Sequence, residues 1–99
     1  MYNIKSHAEK LNALCSTYYV NRMYLIGSSN SSNFTDKSDL DFLVEFKEID
    51  LTTYFDNYIK LKEELKSLFN RNIDLLEEQT LKNPILIRSI NNNKELVYG

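Results

Sequence analysis

Asp39 and Asp41 stand two residues apart in Asp39-Leu40-Asp41-Phe42-Leu43-Val44-Glu45-Phe46, and Asp74 follows in Asn72-Ile73-Asp74-Leu75-Leu76. In an extended strand, residues two apart point to the same side with Cα atoms ~6.5 Å apart, so the first two carboxylates can grip one ion or an adjacent pair. If the strand bearing Asp74 lies beside theirs in register, about 4.8 Å away, three carboxylates face one volume. An all-oxygen donor set suits hard divalent ions such as Mg²⁺ or Mn²⁺ rather than zinc. A merely solvated strand edge also produces an Asp-x-Asp, and the pair alone does not separate the two accounts. Gly27-Ser28 is an independent feature. A glycine closing a buried strand lets a ligand approach the backbone, and a polar run after it can turn N–H groups toward phosphate. An ordinary strand-ending turn has the same two residues.

These residues need strands to hold them and helices to back the strands. Ile4, Ala8, Leu11, Cys15 and Tyr18 recur at steps of three and four, which predicts an amphipathic helix with Ser6 as cap and Glu9 completing a capping box. Residues 23–26 predict a buried strand ended by Gly27, and residues 28–33, with no apolar side chain, read as a loop. Over residues 39–46 the chain alternates. Leu40, Phe42, Val44 and Phe46 fall on one face, and Asp39, Asp41, Leu43 and Glu45 on the other. Leu51, Tyr54, Phe55, Tyr58, Leu61, Leu65, Leu68 and Phe69 predict one long helix whose polar face carries Lys60, Lys62, Glu63, Glu64 and Lys66. Residues 72–76 predict a third strand, with Asp74 and Leu76 opposite Ile73 and Leu75. Asn83 and Pro84 read as cap and first residue of a final helix over 84–91, and residues 95–98 as an edge strand. The order is that of an α/β (α+β) layer fold, a small sheet with helices packed on one face. The other face is expected to be open, and the alternation puts Asp39 and Asp41 on it.

Composition narrows the chemistry further. Ninety-nine residues, 42% apolar with two glycines and one proline, predict one compact domain over residues 1–99, dense in regular elements. The longest apolar runs are about four residues against the ~20 of a membrane-spanning helix, so the expected setting is cytoplasmic. Cys15 alone supports neither an internal disulfide nor a cysteine-built zinc site, and His7 is the single histidine. Cys15 is expected in the core and His7 facing solvent. A net charge of −2 counts against a protein that coats nucleic acid. Residues 39–56 carry −5, residues 57–71 carry +2 and residues 72–79 carry −3. Two acidic segments around a basic one arise by chance or from a cation site.

The stretch from Gly27 to Asp41, Gly-Ser-Ser-Asn-Ser-Ser-Asn-Phe-Thr-Asp-Lys-Ser-Asp-Leu-Asp, with Asp74 one helix later, resembles the Gly-Ser to Ser-Asp-x-Asp motif of the DNA polymerase β nucleotidyltransferase superfamily. It is most similar to the minimal nucleotidyltransferase branch, and the resemblance covers nearly the whole chain. It implies a polymerase β-like nucleotidyltransferase fold and two-metal transfer of a nucleoside monophosphate from an NTP to a hydroxyl. ATP is the implied nucleotide and adenylylation the implied reaction. Carried over residue by residue, the resemblance implies that Asp39, Asp41 and Asp74 are the catalytic carboxylates and hold two Mg²⁺ ions. It also implies that Gly27, Ser28 and Ser38 bind the nucleotide. Proteins of this kind are antitoxins of HEPN-domain toxins, so the implied partner is a HEPN-domain protein, with neither a membrane nor direct nucleic-acid binding.

One departure stands out. The family's common loop reads Gly-Ser-x-Ala-Arg-Gly, and its Arg and second Gly fall on Ser31 and Ser32 here. Losing the arginine removes a fixed positive charge near the triphosphate, and serine for glycine restricts a backbone suited to positive φ. A second reading therefore stands beside the enzyme: a binding module that neutralises its partner by covering it.

Overall fold

The computed structural model describes residues 4–26, 39–78 and 82–99. After a 3-10 turn at Ile4–His7 come α1 (Ala8–Thr17), β1 (Val20–Leu25), β2 (Leu40–Phe46), α2 (Leu51–Phe69), β3 (Ile73–Glu77), α3 (Pro84–Asn93) and β4 (Glu95–Tyr98). The four strands form one sheet in the order β3-β2-β1-β4. β1 is antiparallel to β2 and β4, while β2 and β3 are parallel and joined by α2, as a parallel pair requires. This is the mixed α/β architecture expected of the sequence.

Alternation decides which face each strand buries. Leu40, Phe42, Val44 and Phe46 of β2 meet Met23 and Leu25 of β1 and Ile73 and Leu75 of β3 in register. On the same side Leu11 and Cys15 of α1 and Leu61, Leu65 and Phe69 of α2 complete one cluster. Burying one such side chain contributes ~1.5–3 kcal/mol, so the register is set by the core, and a slip of one residue would exchange the apolar row for aspartates. Asn57 is the buried polar residue of α2, 6% exposed. Its amide donates to the Tyr18 carbonyl at 2.7 Å, tying α2 to the end of α1. There Tyr19 takes a left-handed φ of 61° to turn the chain into β1. Asn70, also left-handed at φ 52°, closes α2.

Four local expectations are corrected. Ser6 lies in the 3-10 turn and bonds His7 Nδ1 at 2.9 Å, so α1 begins at Ala8 with His7 at the cap position and no side-chain cap bond. His7 is half-buried with its ring 5.0 Å from that of Phe69, because the turn directs it inward. Leu51 and Phe55 belong to α2 yet lie exposed. A helix on a flat sheet buries about a third of its circumference, and α2 carries more apolar residues than that stripe holds. The second sheet face is not bare either, since Leu43 is 1% exposed there. The Asn83 cap holds: its side chain accepts from Ile85 N at 3.0 Å. Among the described residues no helix is long and apolar enough to cross a membrane.

Candidate active site

Parallel pairing starts β2 and β3 at the same end of the sheet, and antiparallel pairing ends β1 there. That end is where the aspartates gather. Asp39 immediately precedes β2, Asp41 is its second residue, and Asp74 is the second residue of β3. Asp41 and Asp74 are direct cross-strand partners, and partners in register share a face. Asp39, two residues earlier, falls on the same side by alternation, directly before the bond in which Leu40 N donates to Asn72 O at 3.0 Å. Asp41 is half-buried, whereas Asp39 and Asp74 are exposed. Ile26 N donates to Asp41 O at 2.9 Å, so the chain leaves β1 toward Gly27 beside Asp41 and returns at Asp39. Gly27, Ser28 and Ser38, together with Ser31 and Ser32, lie outside the described residues.

The face continues away from the aspartates in rows. Tyr24, Leu43 and Leu76 lie side by side across the three strands, and Lys94 Nζ sits 4.2 Å from the centre of the Tyr24 ring. Leu43 is buried in this row and Tyr24 and Leu76 are half-buried, so the row packs the second face and leaves the aspartate end as its polar margin. As donors, the three aspartates fit a divalent ion in chemistry, being hard oxygens, and in backbone placement, being on one face of adjacent strands. Among the described residues, no three His, Cys, Asp or Glu side chains are drawn together as a ready-made metal cage. Like charges side by side repel, so the carboxylates have reason to stay apart without a counter-charge.

Two tyrosines missed as site features hold the strand that carries Asp74. Tyr58 Oη donates to the Leu75 carbonyl and Tyr54 Oη donates to Glu77, so α2 grips the free edge of β3 from the side. Burial first, then the Asp74 and Glu77 charges, raises the Tyr58 phenol above its ordinary range. The Tyr54 phenol is raised by burial and by its bond to Glu77. Their spacing, four apart on the apolar stripe, shows them as core in the sequence. The clue is the hydroxyl, which a half-buried tyrosine must place on an acceptor. A groove of about 500 Å³ opens next to Asp39, lined by Tyr58, Ile59, Lys62, Lys66 and Asn72 among others.

Residues 9–99 match the family model described as polymerase beta, nucleotidyltransferase. A Methanocaldococcus jannaschii protein named as a protein adenylyltransferase is 32% identical over 81 residues, which is 82% of this chain and 78% of the relative. Among solved structures, a minimal nucleotidyltransferase superposes with a TM-score of 0.76 at 25% identity, covering 93% of this chain and 90% of that one. The antitoxin fold in a Shewanella oneidensis complex of a tri-AMPylated HEPN toxin with an MNT antitoxin is also similar. It has a TM-score of 0.67 at 17% identity, over 98% of this chain and 73% of that one.

Proposed function

Because the chain belongs to the polymerase β nucleotidyltransferase family, we propose that it transfers AMP from ATP to a hydroxyl of a HEPN-domain partner protein and so acts as that partner's antitoxin. The observation that carries this reading is the in-register Asp41–Asp74 pair, with Asp39 directly preceding the same strand. Asp39, Asp41 and Asp74 would hold Mg²⁺, two ions by family pattern, which when bound supply charge neutralisation of the phosphates and a lower pKa for the acceptor hydroxyl. The acceptor oxygen forms a bond to the α-phosphorus while the bond to the β-phosphate oxygen breaks. Pyrophosphate leaves, and Asp74 takes the hydroxyl proton. Gly27 and Ser28 bind the β and γ phosphates, and Ser38 is a further nucleotide-binding residue. On this reading the protein works in the cytoplasm.

The binding-module reading is favoured by one observation, the serines at 31 and 32 where the family carries Arg and Gly. Incubation with α-labelled ATP, Mg²⁺ and the protein encoded beside the chain separates the two. Label is expected on the partner, and Asp41→Asn and Asp74→Asn should each remove it by a factor of about a hundred or more while leaving the complex intact. A stable complex that never takes label from the wild-type chain decides for the binding module.

A further inference from the structure

One track on α2 lies outside the core and runs up to the aspartate site. Leu51, Phe55 and Ile59 follow at steps of four and are 81%, 69% and 56% exposed. Lys62 and Lys66 continue the same track, and at 100° per residue all five fall within about 80° of the helix circumference. A single exposed leucine is ordinary, but three large apolar side chains in line form a patch that water disfavours. The patch leads somewhere at both ends. Toward the start of α2 it meets a cleft of about 410 Å³ lined by Phe46, Ile49, Leu51 and Phe55. At the other end Ile59 also lines the groove that contains Lys62, Lys66 and Asp39. Residues 51 to 66 thus make one surface ~22 Å long that begins apolar and ends, cationic, at a site carboxylate.

We propose that this track is the docking surface for the protein that carries the acceptor hydroxyl. The occupant is a helical segment that lays an apolar stripe on Leu51, Phe55 and Ile59 and sets acidic side chains against Lys62 and Lys66. Charge complementarity selects it. With Asp39 assigned to the ion, the charged lining of the groove is Lys62, Lys66 and Glu63, a surplus of one positive charge in a stretch, residues 57–71, that carries +2. Continuity selects it too, because a segment seated on the stripe and held by the lysines extends directly to Asp39. The proposal rests on the transfer reading for its occupant, and it locates where that occupant sits.

The test uses the full chain and the purified protein encoded beside it. Phe55→Ser with Ile59→Ser removes the stripe at exposed positions, and Lys62→Glu with Lys66→Glu reverses the cationic end; neither pair touches the core. Calorimetric titration should show partner affinity at least tenfold weaker for the serine pair, with Mn²⁺ binding by the chain alone unchanged. The glutamate pair should weaken binding and abolish its decline with salt. Partner affinity within twofold of wild type for the serine pair overturns the proposal and leaves the transfer reading standing. So does a wild-type dimer in sedimentation that the serine pair dissociates, since the track then serves a second copy. A partner that binds through the track but takes no label supports the docking surface and sinks the transfer reading. Wild-type chain and partner migrating separately at micromolar concentration removes both.

Discussion

At the level of single residues, the cross-strand Asp41–Asp74 pair sets two like charges side by side, a cost that a bound cation would offset. Directly opposed like charges on a sheet destabilise by about 0.2–1 kcal/mol. Asp74→Asn is therefore expected to raise the melting temperature slightly in metal-free buffer and to abolish the rise that Mg²⁺ or Mn²⁺ gives the wild type. A ligand at a hundredfold its Kd stabilises by about 2.7 kcal/mol, so the loss is readable in a thermal melt. An unchanged metal response in Asp74→Asn would remove Asp74 from the site. Cys15 makes the opposite point about buried groups. Burial pushes its thiol up to about 12, and the thiolate is the reactive form. Native protein should resist thiol reagents at pH 8 and react fully once unfolded.

At the level of elements, α2 does three jobs on three sides. Its inner stripe builds the core, its tyrosines hold the edge of β3, and Asn57 joins it to the end of α1. Asn57→Ala leaves the Tyr18 carbonyl without its donor in a buried setting. That should cost about 1–3 kcal/mol, measured as a shift in the denaturant midpoint. The segment between β1 and β2 carries a separate prediction, argued from sequence. Ser31→Arg with Ser32→Gly restores the family pattern, and a guanidinium contact to phosphate is worth ~1.5–3 kcal/mol, or roughly ten- to a hundredfold in ATP affinity. No gain in affinity would mean the serines are not what limits nucleotide binding.

At the scale of the whole molecule, the titrating groups among the described residues that burial shifts most clearly share one sign. The Cys15 thiol and the Tyr54 and Tyr58 phenols all have their pKa values raised on folding. For a group raised on folding, the stabilising contribution is complete below the unfolded pKa and is lost as pH rises through the folded one. Stability should therefore hold through neutral pH, start to fall near the ordinary thiol range at about pH 9 and fall further as the phenols titrate. Cys15→Ala should remove the earliest part of that decline. A melt series showing equal loss from pH 9 to 10 in wild type and Cys15→Ala would contradict the thiol assignment.

Periodicity gave the type and order of the main elements, because helices and strands repeat at 3.6 and 2 residues whatever they pack against, but not their bounds, since the strand expected over 23–26 runs Val20–Leu25. It also placed Asp39 and Asp41 on the polar face of their strand, since any other register would bury both. What it left conditional was Asp74. Whether that residue stands beside Asp41 depends on β3 choosing β2 as a parallel neighbour, a contact made across the length of α2, and only the core decides it by matching Leu40 to Ile73 and Phe42 to Leu75. The same limit applies to α2. Its sequence shows an excess of apolar residues but not which of them the sheet covers, because one helix offers several faces and the neighbours choose. Leu51 and Phe55 therefore read as core along the chain and stand exposed in the fold. Tyr54 and Tyr58 read the same way, yet their hydroxyls reach an edge strand that exists as an edge only once the sheet order is set.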